Sequence, residues 1–377
     1  MRIGMVCPYS LTIPGGVQGQ VLDLSRALRA EGAAVRILAP CDGPPPATNV
    51  TPLGASLPYA TNGSVAPIAP DLPAQLRLIR AMRDEDFDII NIHEPLAPGV
   101  STTALLVKAA PLFGTFHAAG DEGPYRPFAW TTPVLGRMLR RLDKRVAVSA
   151  DAAELASRHF GGDYELVFNA VAAQRIIETP PWSTSGPTVF FIARHEPRKG
   201  LAVLLESLEH LPADVQVWVA GDGPQTEELQ QRFPDPRVEW LGRISDDEKF
   251  ARLRGADLFC VPSLGGESFG VVLLEGMAAA TPVVASGLDA YAAVARQGAD
   301  AELFRPGDPA HLAVAIRRVL DDERRRAELV ESGLERAGQF SMRALARRYL
   351  DLFEATVASA ARQGSRWDRG VPPRMVP

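Results

Sequence analysis

The chain has 377 residues, more than one ordinary hydrophobic core serves, so two domains are expected. Its 46% hydrophobic and 23% charged residues are the balance of a globular protein. A net charge of -5 argues against general nucleic-acid binding, which needs a basic footprint.

The elements follow in order. Arg2–Val6 reads as a short apolar strand, and its apolar run stops at Pro8, too soon for a signal sequence, so export is not expected. A glycine turn at Pro14-Gly15-Gly16 leads to a helix from about Gly19, with Val21, Leu24 and Leu28 on one face. Gly32 ends that helix and 35–39 is the next strand, giving a β-α-β unit. Residues 42–73 are rich in Pro, Gly and Ala and too long for a plain connector, which suggests a functional excursion. A helix over 72–83 follows, with Leu72, Leu76, Ile79 and Met82 on one side and Arg77, Arg80 and Arg83 nearby. Stretches 88–93, 112–117 and 145–149 read as strands that end in polar residues.

A second series begins after Thr179-Pro180-Pro181-Trp182, which reads as an interdomain linker. Its strands fall at 189–193, 215–220, 238–241, 258–261 and 283–285. Its helices fall at about 200–210, 224–232, 246–253, 269–279 and 309–320. A last helix at about 341–362 carries Leu345, Tyr349, Leu352 and Phe353, and 364–377 reads as a disordered tail. No apolar run nears the roughly 20 residues that span a bilayer. Cys7, Cys41 and Cys260 lack metal-like or redox-like spacing and fit a reducing cytoplasm.

Open parallel sheets bind ligands beyond the carboxyl ends of their strands, so two such sheets are expected to face across a deep cleft. Tyr9, Gly16, His93, His117, Arg194 and Gly221 lie at those ends. The GGVQG loop brings backbone N–H groups to a helix start, as a phosphate requires, or is a tight turn without ligand; it is not GxGxxG, so a nicotinamide dinucleotide is not supported. Arg194, Arg198 and Lys199 crowd one strand-to-helix loop, which is either a solvated loop or a site that neutralises a departing diphosphate. Glu267 precedes the helix at 269–279 and Glu275 lies within it, about 12 Å of helical rise apart. Glu267 alone is equally an N-terminal cap; Glu275, in an apolar helix, needs a partner such as ribose hydroxyls. His117 reads equally well as a satisfied core histidine, His93 more readily so, and no His, Asp or Glu cluster has metal-ligand spacing.

Together, MRIGMVCPYS, IPGGVQ, NGSVA, FDIINIHEPLAP, TFH, EPRKG and GGESFGVVLLEGMAA resemble the retaining glycosyltransferase family with the GT-B fold and the E-x(7)-E motif. The branch most like this chain moves mannose from GDP-mannose to phosphatidylinositol. The resemblance implies two Rossmann-like α/β domains. The N-terminal acceptor domain would be 1–168, completed by a C-terminal helix at about 343–362, and the donor domain 169–342. It also implies residue roles. Gly16, Arg194, Arg198 and Lys199 would hold the diphosphate, and Ile244, Ser245, Asp246 and Lys249 would surround the guanine. Glu267, Ser268, Phe269, Gly270 and Val271 would contact mannose and phosphates, Glu275 the ribose, and His117 the sugar near the reacting carbon. Arg194, Lys199, Glu267 and His117 would thus form the catalytic set. Tyr9, Gln18, Asn62 and Gly63 would form the inositol site. Arg77, Arg80 and Arg83 would meet the anionic inner face of the cell membrane. No tightly bound cofactor is implied; Mg²⁺ would ride on the donor diphosphate.

The acceptor half departs from the pattern. Pro67 stands where the branch has a basic residue, AAGDEG follows TFH, and Asn169-Ala170-Val171 replaces Asn-Gly-Val. The alternatives are therefore the same donor chemistry on a soluble sugar, an inositol phosphate or another lipid, or a non-catalytic sugar-nucleotide-binding protein.

Overall fold

The computed structural model describes residues 1–61, 64–118, 132–267 and 269–364. They form two compact units: Phe168–Met342, and Met1–Val167 joined by the chain from Arg343 onward.

The first unit runs β1 (Arg2–Val6), α1 (Gly16–Ala30), β2 (Ala34–Ala39), β3 (Val50–Pro52), β4 (Leu57–Thr61), β5 (Ser64–Ile68) and α2 (Leu72–Asp84). It continues with β6 (Ile89–His93), α3 (Val100–Val107), β7 (Leu112–Phe116), α4 (Thr132–Leu139), β8 (Lys144–Ala147), α5 (Ala150–Phe160) and β9 (Glu165–Leu166). Among the described residues its main sheet is parallel, in the order β3-β2-β1-β6-β7-β8-β9. Strands β6 and β7 are buried throughout, which is why IINIH and LFGTF show no apolar-polar alternation.

The second unit runs α6 (Ala173–Glu178), β10 (Thr188–Ile192), α7 (Leu201–Ser207), β11 (Gln216–Ala220), α8 (Thr226–Arg232), β12 (Val238–Gly242), α9 (Asp246–Gly255) and β13 (Leu258–Val261). It ends with α10 (Val271–Ala278), β14 (Val283–Ser286), α11 (Asp289–Val294), β15 (Glu302–Phe304), α12 (Pro309–Asp321) and α13 (Glu323–Gly338). Its sheet is parallel in the order β12-β11-β10-β13-β14-β15. Apolar cores cover both faces, one around Phe190, Phe259 and Leu273, the other around Phe191, Leu204 and Ile316.

Helix α14 (Met342–Gly364) then packs on the first unit. Phe353 meets Phe113 edge-on at 4.9 Å, and Arg343 and Arg347 both pair with Glu31 at 2.7 and 2.9 Å.

Several sequence expectations need correction. Helix α1 starts at Gly16, not Gly19, because Gly15 in extended conformation already serves as its N-cap. The excursion at 42–73 contains β3 and an antiparallel hairpin, β4-β5, held against the end of β1 by Ser10 N–H donating to Pro67 O at 2.9 Å. The segment 179–182 lies inside the second unit and is no interdomain linker. Trp182 N–H donates to Ala251 O at 2.8 Å, and the Arg252 guanidinium stacks on the Trp182 ring at 4.4 Å.

Candidate functional site

Each sheet has one place where the strand order reverses: β1 beside β6 in the first unit, β10 beside β13 in the second. Loops leaving the carboxyl ends there are the usual ligand platform of an open α/β sheet. The charged motifs of this sequence leave those strands.

In the second unit the loop after β10 meets the loop after β13. Gly200 has φ of 69°, and a Cβ there would lie 1.9 Å from Pro262 O, so only glycine permits this approach. Leu264 N–H donates to Arg198 O at 2.7 Å and locks the two loops together. Lys199 Nζ then sits 2.5 Å from Glu267 Oε1, and Arg198 3.7 Å from the same oxygen. Buried Glu196 holds Arg194 at 3.3 Å and Arg198 at 3.0 Å. Behind Glu267 runs a polar chain: Tyr291 Oη–H donates to Ser263 Oγ at 3.0 Å, and Ser263 donates to Glu267 at 3.2 Å. Burial first, then the Glu267 charge, hold the Tyr291 phenol well above its ordinary pKa, so it stays a donor. Three cations face two carboxylates, which leaves one net positive charge. The arrangement suits an anion that brings more negative charge than the carboxylates supply.

Glu267 does not cap α10. The cap is Gly270, with φ of 88°, whose Cβ would lie 2.8 Å from the Tyr291 ring. The helix therefore begins at Val271, not 269, and only about 6 Å of helical rise separates Val271 from Glu275. Phe269 is buried and stacks on Phe168 at 5.6 Å, so its side chain belongs to the core, and only its backbone remains for a donor. Ser268 lies outside the described residues. Glu275 finds its partner within the chain: Lys249 Nζ at 2.9 Å. Asp246 lies 3.7 Å from the same amine, so Lys249, Asp246 and Glu275 form one cluster. Ser245 caps α9 by accepting from Glu248 N–H at 3.1 Å, and Ile244 packs against the core.

In the first unit, the start of α1 is open: among the described residues nothing lies within 4 Å of a Cβ built on Gly16. Gln18 is buried, with its amide nitrogen donating to Ile13 O at 3.2 Å. Tyr9 follows β1, and its phenol is held well above the usual pKa by burial first, then by the nearby Glu94 carboxylate. Glu94 Oε1 accepts the backbone N–H groups of His117 at 2.7 Å and Ala118 at 2.6 Å. His117 Nε2 lies 2.9 Å from His93 Nδ1. Asn62 and Gly63 lie outside the described residues.

Burial lowers the His117 pKa to about 4. Above about pH 6.5 the ring is neutral both folded and unfolded. As pH falls, the unfolded chain takes up the proton first, so stability is lost between about 6.5 and 4. His117 alone is expected to cost about 2 kcal/mol at pH 5. Melting of the wild type and of His117→Gln at pH 7.5 and 5 checks this; an equal acid shift in both would contradict it.

Helix α2 buries Ala74, Leu78 and Met82, whereas Leu72 and Leu76 are 68% and 57% exposed. The expected single apolar side is therefore split, with two leucines one turn apart facing out. Arg77 Nε donates to Leu53 O and is committed to the fold; Arg80 pairs with Asp84 at 3.4 Å, and Arg83 is exposed. Among the described residues no helix is long and apolar enough to cross a membrane, and no group of three His, Cys, Asp or Glu could hold a metal ion.

Glu94, Glu196, Ser263 and Tyr291 were missed from the sequence. The two glutamates carried a signal, each being a charge in a strand-end motif already singled out; Ser263 and Tyr291 carried none.

Known proteins share this organisation. Residues 14–175 match the profile "Glycosyltransferase Family 4", and residues 186–322 match "Glycosyl transferases group 1". The phosphatidyl-myo-inositol mannosyltransferase of Mycobacterium leprae is 36% identical over 96% of this chain and 99% of its own length. That of Mycolicibacterium smegmatis is 36% identical over 96% and 95%. Among solved structures, Anabaena HepE in complex with UDP and glucose aligns with a TM-score of 0.74 at 18% identity, over 94% of this chain and all of that one. Sucrose-phosphate synthase from Thermosynechococcus elongatus aligns at 0.73 and 19%, over 95% and 99%. The chain belongs to the glycosyltransferases of the GT-B fold, in the family of the phosphatidyl-myo-inositol mannosyltransferases.

Proposed function

We propose that this chain transfers mannose from GDP-mannose to the inositol ring of phosphatidylinositol, with retention of anomeric configuration. The observation that carries the reading is the net positive Arg194-Arg198-Lys199 cluster around Glu196 and Glu267, where the strand order of the second sheet reverses. A diphosphate leaving group gains negative charge as the glycosidic bond breaks, and fixed cations lower the barrier to its departure. Arg194, Arg198 and Lys199 take that role, with Gly16 at an open helix start whose backbone N–H groups suit phosphate. Glu267 and the backbone of 269–271 take the mannose. Glu275, with Lys249, takes the ribose edge of the nucleotide, and Ile244, Ser245 and Asp246 its base. His117 meets the sugar, Tyr9 and Gln18 the inositol, and Asn62 and Gly63 extend that site. A divalent ion would ride on the diphosphate.

The acceptor is argued from relatives named for it at 34–36% identity. A second reading keeps the donor and exchanges the lipid for inositol phosphate. It is favoured by Pro67, which stands about where the resembled branch carries a basic residue, and by relatives named D-inositol 3-phosphate glycosyltransferase at 28–29% identity. We also propose that Leu72 and Leu76, with Arg80 and Arg83 on the same helix, rest on an anionic leaflet.

One experiment addresses all three. The full chain is given GDP- and UDP-sugars with either phosphatidylinositol vesicles or inositol phosphate, and products are identified by mass spectrometry and anomeric NMR. A mannolipid from GDP-mannose supports the first reading. Turnover on inositol phosphate alone replaces it with the second. Leu72→Ser/Leu76→Ser should reduce cosedimentation with anionic vesicles at least about threefold; unchanged sedimentation removes the membrane claim.

A further inference from the structure

A line of buried polar groups crosses the first unit and ends at His117. It starts at the buried Thr115 hydroxyl on β7. Thr115 Oγ1 donates to Asn91 Oδ1 at 2.8 Å. Asn91 Nδ2 lies 3.2 Å from His93 Nε2, and His93 Nδ1 lies 2.9 Å from His117 Nε2. Residues 91 and 93 share one face of β6, and 115 and 117 the matching face at β7, because side chains repeat every second residue. Asn91, His93 and Thr115 are essentially sealed from solvent, so each hydrogen bond must be satisfied inside the protein.

The donors can be assigned one after another. Thr115 has one proton and passes it to the Asn91 carbonyl. The Asn91 amide nitrogen can only donate, so His93 Nε2 is the acceptor and the neutral His93 ring carries its proton on Nδ1. That proton points at His117 Nε2, which must then be unprotonated. Burial disfavours the charged form of both rings, His117 included, so no second proton disturbs the sequence.

We infer that Thr115, Asn91 and His93 form a tautomer lock that keeps the proton of neutral His117 on Nδ1 and so presents a fixed N–H donor at the carboxyl end of the first sheet. These three are positioning residues; the group they position is His117. Glu94 does for its backbone what the lock does for its ring, by accepting the His117 N–H. A preset donor spends no reorganisation when charge develops on a sugar oxygen. In that use the inference rests on the reading of His117 as the group that meets the donor sugar.

The test uses the full chain labelled with ¹³C/¹⁵N-histidine at pH 7.5 and long-range ¹H–¹⁵N correlation. The expected wild-type result is a single His117 tautomer with Nδ1 protonated. An Nε2-protonated or averaging ring overturns the inference, and that readout needs no variant. Thr115→Val and Asn91→Leu should each release the His117 ring into a mixture of tautomers and lower kcat about tenfold, with GDP affinity changed less than about twofold. Thr115→Ser, which restores the hydroxyl, should restore both signal and rate. An unchanged tautomer in both apolar variants also overturns the lock. A shifted tautomer with wild-type turnover upholds the lock and instead removes His117 from the sugar site.

Discussion

Lys199→Ala is expected to lower turnover about 30- to 1,000-fold, the loss of roughly 2–4 kcal/mol of transition-state stabilisation. The fold should suffer far less. The amine and Glu267 are both partly exposed, so their pair is not a fully buried one. Arg198 also stands 3.7 Å from the orphaned carboxylate and Ser263 still donates to it. About 1 kcal/mol of stability, or roughly 2–4 °C in the melting of the second unit, is the expected cost. Steady-state kinetics beside calorimetry separates the two effects. Because Lys199 and Glu267 act as one unit, Glu267→Ala should also be slow, and the double variant should fall by much less than the product of the two. Wild-type turnover in Lys199→Ala would take the lysine out of the chemistry.

Much of the fold was legible because parallel strands buried on both faces are short apolar runs, and helices between them repeat every 3.6 residues. Strand Leu258–Val261 and helices α9 and α12 fell close to their expected places for that reason. Helix α13 was not foreseen: its three consecutive arginines and its glutamates mask an apolar face reduced to Leu329, Gly333 and Ala337. Strand β15 is three residues long and gives no periodicity at all. The strap at 179–182 misled because Pro-Pro reads as a linker, whereas its anchor is a cation over Trp182 that no local pattern announces.

At the site, the residues with charge were readable and their partners were not. Arg198, Lys199 and Glu267 stood out as charges near glycines, and the structure pairs Arg198 and Lys199 with Glu267 across 69 and 68 positions of sequence. Which carboxylate meets which cation depends on the strand order, where β10 lies next to β13 and not next to β12. The same order puts Lys249 beside Glu275, so a carboxylate assigned to ribose hydroxyls has a lysine as its partner. In the first unit, His93 taken singly reads as a core histidine, and Asn91 carries no signal of its own. Their direction, and hence their consequence for His117, exists only once β6 and β7 are in register.

The glycines give the other large prediction, and they separate folding from chemistry. Gly200→Ala is expected to lose at least about 3 kcal/mol, because φ of 69° is costly for alanine and the new Cβ would lie 1.9 Å from a backbone oxygen that cannot swing aside. The melting temperature of the second unit should fall roughly 6–12 °C. Turnover should fall with it, since Pro262 begins the loop that carries Glu267, and Lys199 is the residue before the glycine. Gly16→Ala is its counterpart. Among the described residues nothing lies within 4 Å of that Cβ, its φ is not in the left-handed region, and alanine is the better helix former. Stability should hold or rise slightly, so packing among the described residues gives no reason for glycine there. The remaining reason is close approach by something the chain binds. A methyl group held between helix N–H groups and a phosphate should lower turnover at least about tenfold with unchanged melting. Undiminished turnover in Gly16→Ala would remove the start of α1 from the donor site, while leaving the Lys199 and Glu267 cluster untouched.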